Sequence, residues 1–306
     1  MKRYYFIIAS IALSFLFSGC TYDDDDVSYT TKQVLFTYQT YNRQVVVGED
    51  MGIKVGFVFA GLDRNDRNRV VKYRINNDLI TTPGQSPLPS DYYSFDNDSQ
   101  ITIKKGELKA YMPMRLDSTK FVNDPKALTG EYVLAVQIVE ADVDSIAAGK
   151  DYTLISISYQ GRQYGNYRYN GIAVNKAASD TVKYSNLATT TGSIRQLQTV
   201  GADRFRVYAD QTGNQDNAKG KYSMIVTLPP SGSGAVRIEA DPQYLPSVQV
   251  SANGESYYEA ASKTLTLRYK YTVDGKEWEA EDVMIFRNRI RDDQGDGRVL
   301  YEWRGF

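Results

Sequence analysis

Residues 267–281 read LRYKYTVDGKEWEAE. Asp274-Gly275 is a two-residue hairpin signal, because a type I′ turn needs positive φ at both central positions and these residues tolerate it. Pairing Val273 with Lys276 puts Tyr271 opposite Trp278 and Tyr269 opposite Ala280. On the other face Lys270 meets Glu279 and Arg268 meets Glu281, opposite charges that contribute roughly 0.2–1 kcal/mol per pair. Leu267, Tyr269, Tyr271 and Trp278 share the apolar face. Trp278 is therefore read as core rather than as a sugar-stacking platform. Glu279 and Glu281 are read as solvated ladder partners rather than as catalytic acids.

The same period of two runs through most of the chain. Ile53, Val55, Phe57 and Phe59 alternate with other residues, as do Val71, Tyr73 and Ile75. Leu108, Ala110, Met112, Met114 and Leu116 extend the pattern, with Pro113 pointing to an edge strand or a bulge. Tyr132 to Val139 is apolar on both faces, as in a central strand, and Leu154 to Tyr159 closes the first region. No long stretch carries a 3.6 period, so helices should be few and short. The Gly-, Asn- and Tyr-rich GRQYGNYRYNG (161–171) opens a second region with the same grammar of strands and turns. The expected architecture is all-β, with two β-sandwich domains (immunoglobulin-like or related) at 32–160 and 161–306.

Lys2 and Arg3 precede Tyr4 to Phe17, an apolar run shorter than the roughly 20 residues a membrane-spanning helix needs. The run fits the apolar region of a secretory signal at 1–19. Leu16-Phe17-Ser18-Gly19-Cys20 resembles a bacterial lipobox, although Phe17 stands where a small or aliphatic residue is usual. The resemblance implies cleavage before Cys20 and diacylglyceryl transfer to its sulfur. An ordinary signal followed by an incidental cysteine, or a free core thiol, is the alternative. Thr21 to Thr31 is polar and acidic, so residues 20–31 read as a lipidated tether. The acyl chains would be the membrane attachment.

Composition excludes several chemistries. There is no histidine and one cysteine, which removes Ser-His-Asp catalysis, His-ligated zinc and, once Cys20 is lipidated, thiol catalysis and disulfides. With Lys2 and Arg3 gone, the 36 basic residues fall to 34 against 37 acidic ones, a balance of −3 that argues against nucleic acid. No cofactor and no metal are expected. RDDQGDG (291–297) copies the spacing of EF-hand positions one, three, five and six but lacks the acid at position twelve, so it reads as a solvated turn. The 25 tyrosines suit strands and contact faces alike.

LPSDYYSF (88–95), ITIKKGELKAYMPMRL (101–116), EYVLAVQIVEAD (131–142) and YTLISISY (152–159) resemble an N-terminal β-sandwich domain of unknown function common in Bacteroidetes surface lipoproteins. YGNYRYNG (164–171), KTLTLRYKYTVDGKEWEAEDVMIFRNRI (263–290) and YEW (301–303) resemble its usual C-terminal partner domain. Asp23 to Asp26 after Cys20 are similar to the signal that sends such lipoproteins to the outer face of the outer membrane. The resemblance implies a place in a starch-utilisation-like system, beside a porin and a capture lipoprotein, and glycan binding without cleavage. It carries no binding residue across.

The leading reading is thus a cell-surface protein that binds extracellular glycan for polysaccharide uptake. Aromatic faces would stack on sugar rings, and polar side chains would bond their hydroxyls. The candidates are Trp303, Tyr257 and Tyr258 in the NGESYYEA loop, and Tyr164, Tyr167 and Tyr169 at the boundary. Tyr167 and Tyr169 alternate, as do Val299, Tyr301 and Trp303, so each set also fits the inner face of a strand. One alternative is a structural or adhesive subunit that binds a protein partner. Another is a glycoside hydrolase using carboxylates from among Asp91, Asp96, Asp98, Glu140, Asp142 and Asp144.

Overall fold

The computed structural model describes residues 31–49, 51–61, 64–97, 99–185, 194–208, 223–243, 249–273, 275–292 and 299–303. The first half carries β1 (Gln33–Leu35), β2 (Thr40–Val46), β3 (Gly52–Ala60), β4 (Arg69–Ile75), β5 (Ser86–Pro87) and β6 (Tyr93–Phe95). It continues with β7 (Gln100–Ile103), β8 (Lys109–Leu116), β9 (Tyr132–Ala141), β10 (Ser145–Ile146) and β11 (Tyr152–Gln160). One sheet runs β10-β1-β3-β8-β6 and the other β2-β11-β9-β4-β7, with β5 beside β9. Alternate residues of each strand face a shared core: Val55, Phe57 and Met112 from one sheet, Tyr73, Leu134 and Ile155 from the other. Phe57 joins them directly, with its ring centroid 4.9 Å from Phe36 and 5.4 Å from Tyr73.

The helices are short, as expected: Ser118–Val122 is capped by Asp117, and Pro125–Thr129 is capped by Asp124. Pro113 lies opposite Lys54 in β8, which has β3 on one side and β6 on the other, so it is not on an edge strand. β6 reaches only as far as Phe95 opposite Met114. Pro113 falls just beyond that end, where no partner asks for its missing N–H.

The second half carries β12 (Gly165–Asn175), β13 (Asp180–Ser185), β14 (Arg195–Thr199), β15 (Arg204–Tyr208), β16 (Ser223–Thr227) and β17 (Gly234–Ala240). β18 (Gln249–Ala252), β19 (Ser256–Glu259), β20 (Thr264–Val273), β21 (Lys276–Asp292) and β22 (Val299–Trp303) complete it. Here the structure corrects the expected second sandwich. The order β12-β14-β15-β16-β17-β19-β20-β21 returns to β12, with Tyr167 opposite Phe286 and Ile172 opposite Glu281. The result is a closed barrel of eight antiparallel strands, lengthened at its ends by β13, β18 and β22. The seventeen residues of β21 make closure possible, because one strand can pair with β20 along one edge and with β12 and then β22 along the other.

The hairpin has the register read from Asp274-Gly275: Val273 pairs with Lys276, Tyr271 with Trp278 and Arg268 with Glu281. Gly275 has φ +72°, as the turn demands. Arg268 Nε reaches Glu281 at 2.8 Å, but Glu279 is taken by Lys176 at 2.6 Å and Lys270 turns to Glu277 at 3.7 Å. An eight-stranded barrel is just wide enough for side chains to fill. Tyr167, Tyr169, Leu265, Leu267, Tyr269, Tyr271, Trp278 and Phe286 fill this one.

One ionic group sits among them. Arg195 and Asp282 are both buried and bonded to each other, with Tyr269 Oη donating to Asp282 Oδ2 at 2.6 Å and Tyr184 Oη to Oδ1. Gly171 makes the room, since a β-carbon there would stand 2.3 Å from Asp282 Oδ1.

Gln160 is tied into the first half, its carbonyl accepting from Val47 N at 2.8 Å and its Nε2 donating to Gln44 Oε1 at 2.6 Å, and just across the boundary Arg162 donates to Gly48 O. Arg289 of β21 donates to Arg162 O at 2.7 Å and pairs with Glu49 of the first half.

Candidate ligand-binding groove

On the outer side of β3 and β8, opposite the core, an open groove of about 250 Å³ runs to β2 and the segment before it. Tyr38, Tyr41 and Tyr111 give it aromatic walls, with Arg43, Lys109 and Thr153 as its polar groups. Each wall has a local cause. Alternation in β3 sends Ile53, Val55, Phe57 and Phe59 inward, which leaves Gly56 and Val58 as the outer floor. Tyr111 lies opposite Gly56 in the ladder and covers the surface that the glycine leaves bare.

Tyr38 is 63% exposed, yet its backbone is held. Thr153 Oγ1 donates to Tyr38 O at 2.8 Å, Leu154 N to Gln39 O at 2.8 Å, and Gln39 Nε2 to Phe36 O at 3.0 Å. Phe36, in the core, anchors the other end of the segment. Tyr38 and Tyr41 meet edge to face, centroids 6.4 Å apart. Arg43 lies 4.6 Å over the Tyr41 ring and the Lys109 ammonium 5.4 Å over the Tyr111 ring. Burial pushes the Tyr41 hydroxyl up to about 12, with the Arg43 charge and a Thr153 hydrogen bond pulling weakly the other way. Tyr41 is therefore a neutral hydrogen-bonding phenol at any physiological pH.

The residues expected from sequence do not meet on one surface. Tyr167 and Tyr169 face the barrel interior, where Tyr167 Oη donates to Gln163 O at 2.7 Å. Tyr164 is half-buried against the same core and accepts from Gln196 Nε2 at 3.4 Å. NGESYYEA holds strand β19 rather than a loop, and this splits its tyrosines: Tyr258 points inward and Tyr257 is 47% exposed. Trp303 pairs with Asn288 through its backbone, and its side chain lies outside the described residues, as do Cys20 and most of RDDQGDG.

Four of the acids considered for hydrolysis are paired with cations. Asp91 pairs with Lys120, Asp96 with Arg115, Glu140 with Lys72 and Asp142 with Arg67. Asp144 accepts from Lys32 N at 2.9 Å, and Asp98 is outside the described residues. Among the described residues no carboxylate lines the groove. Tyr38, Tyr41 and Tyr111 escaped the sequence reading because Tyr111, on β8, is far along the chain from the other two. The usable signal was Gly56, an isolated glycine inside a strand pattern, which marks close approach of something to the backbone.

Residues 28–145 match the family model of an N-terminal domain, and residues 152–284 match that of its C-terminal companion. No curated protein matches in sequence. Among solved structures, a structural-genomics protein of unknown function from Bacteroides ovatus is 17% identical with a TM-score of 0.67, covering 90% of this chain and 100% of its own. That likeness shows a shared fold. A protein from Bacteroides thetaiotaomicron described as an auxiliary nutrient binding protein is 13% identical, covers 82% of this chain and 91% of its own, and has a TM-score of 0.43. A Bacteroides ovatus protein provisionally described as carbohydrate binding is also 13% identical, covers 67% of each chain and has a TM-score of 0.32. Matched in order along both halves, the chain belongs to the two-domain family that this N-terminal and C-terminal pair defines.

Proposed function

We propose that this chain is a non-catalytic glycan-binding protein, anchored through an acylated Cys20 to the outer face of the outer membrane. It would hold polysaccharide beside a porin and a capture lipoprotein. The observation that carries this reading is the groove walled by Tyr38, Tyr41 and Tyr111 on a backbone that other residues pin. Rings offer flat apolar faces to the C–H side of a pyranose, and held rings lose little entropy when they bind. Binding without cleavage is favoured because, among the described residues, no carboxylate lines the groove.

Calorimetric titration of the protein against a polysaccharide panel, with analysis of reducing ends, tests the reading. Saturable heat that is weakened by Tyr41→Ala and leaves the polymer intact is expected. New reducing ends, or binding indifferent to Tyr38, Tyr41 and Tyr111, would overturn it. For the anchor, Cys20→Ala should abolish labelling by radioactive palmitate and release the protein from membranes. Palmitate labelling that survives the substitution refutes an anchor at this thiol.

A further inference from the structure

We propose that the ligand of the Tyr38–Tyr41–Tyr111 groove is an acidic polysaccharide, whose sugar ring carries an anionic group that docks on Arg43 and Lys109. The inference rests on the glycan reading above and adds the charge class of the ligand. Among the described residues two cations and no carboxylate line the groove, in a chain whose net charge is −1. The positive character is thus local and does not follow from a basic protein surface.

Arg43 is the more telling of the two. Among the described residues it takes part in no ion pair, and its Nε is buried without a hydrogen-bond acceptor. A buried N–H of a charged group is costly to leave unsatisfied, and most such groups are paired. The guanidinium carbon lies 4.6 Å over the Tyr41 ring, so the group is already placed at the groove before any ligand arrives. A planar fork matches the two oxygens of a carboxylate, or of a sulfate ester, better than a single sugar hydroxyl.

Lys109 stands across the floor, over Tyr111 at 5.4 Å, on the strand next to Gly56 and Val58. A pyranose lying along the tyrosines would have one cation at either side. The shared ligand chemistry is an anionic oxygen cluster on a sugar, found in uronic acids and in sulfated sugars.

The test compares polygalacturonate, its carboxyl-reduced neutral form, and a carrageenan that bears sulfate without carboxylate, using the full chain in detergent. Expected is binding of polygalacturonate or carrageenan that weakens as salt rises, at least tenfold over the neutral polymer. Arg43→Gln should reduce it roughly tenfold or more, the weight of one charge-assisted hydrogen bond. Preference for polygalacturonate assigns the site to carboxylate, and preference for carrageenan assigns it to sulfate. Lys109→Gln, at an exposed position, carries the same test should Arg43→Gln fail to fold. Equal binding of the neutral polymer, weakened by Tyr41→Ala but not by Arg43→Gln, overturns the acidic preference and leaves the glycan reading standing. No binding of any polymer overturns both.

Discussion

Gly56 and Tyr111 face each other across the β3–β8 ladder, and a β-carbon on Gly56 would stand 3.1 Å from Tyr111 Cε1. The tyrosine ring therefore lies low on the sheet only because the residue beneath it has no side chain. Gly56→Val should lift and tilt the ring while leaving the strand intact, since valine suits a strand better than glycine does. Glycan binding is expected to weaken by roughly two- to tenfold, the weight of one aromatic contact, with little change in the unfolding midpoint. Unchanged affinity in the titration would remove Tyr111 from the site.

Inside the barrel, Asp282 answers the charge of Arg195 and accepts from Tyr184 and Tyr269. Asp282→Asn leaves a buried guanidinium without a counter-charge, so a loss of about 3–5 kcal/mol is expected in urea unfolding. Tyr184→Phe removes one donor and should cost about 1–3 kcal/mol. A loss below about 1 kcal/mol for Asp282→Asn, ordinary for any point mutant, would mean the pair is solvated in solution.

Asp124 accepts from Tyr132 Oη at 2.5 Å, Tyr92 Oη at 3.0 Å and Lys126 N at 2.9 Å. Hydrogen bonding, from Tyr132 first, holds its carboxyl below the ordinary range against the pull of desolvation. Its folded pKa being depressed, the stability it contributes is fully present above about pH 4, the unfolded value, and is lost as pH falls through the lower folded value. Asparagine caps a helix about as well as aspartate. Asp124→Asn should therefore flatten part of the acid limb of a stability–pH curve, and superposable limbs for the two proteins would count against this account.

Arg289 and Glu49 link the barrel to the sheets, and Arg289 is nearly buried in doing so. Arg289→Ala should cost about 1–3 kcal/mol and uncouple the halves, splitting one calorimetric transition into two. A single transition in the variant would show that the Arg162 contact with Gly48 O suffices to couple them.

What could be read from sequence was whatever local chemistry fixes. Asp274-Gly275 set the hairpin register, and the apolar alternation put Trp278 in the core as expected. Barrel closure was not legible, because inward and outward residues alternate identically in a sandwich and a barrel. Only the meeting of Tyr167 with Phe286 distinguishes them, and no local signal encodes it. The groove escaped for a related reason. Tyr38, Tyr41 and Tyr111 look like any strand tyrosines until β2, β3 and β8 are brought together. In NGESYYEA the loop covers only its first three residues, and a short strand, Ser256–Glu259, continues from there into the barrel wall.

Closure also imposes an order on how the chain folds as it emerges. The first half has its last strand once Gln160 has emerged, so its core can consolidate while the rest is still being threaded. The barrel has no such early stopping point. β12 must wait for β21, and the seam between them leaves an unpaired strand flank exposed until the two join. Pairings so distant along the chain form slowly, and open strand edges recruit other chains. The groove-bearing half is thus able to finish first, and the slow half is the one that would need protection by chaperones until the barrel closes.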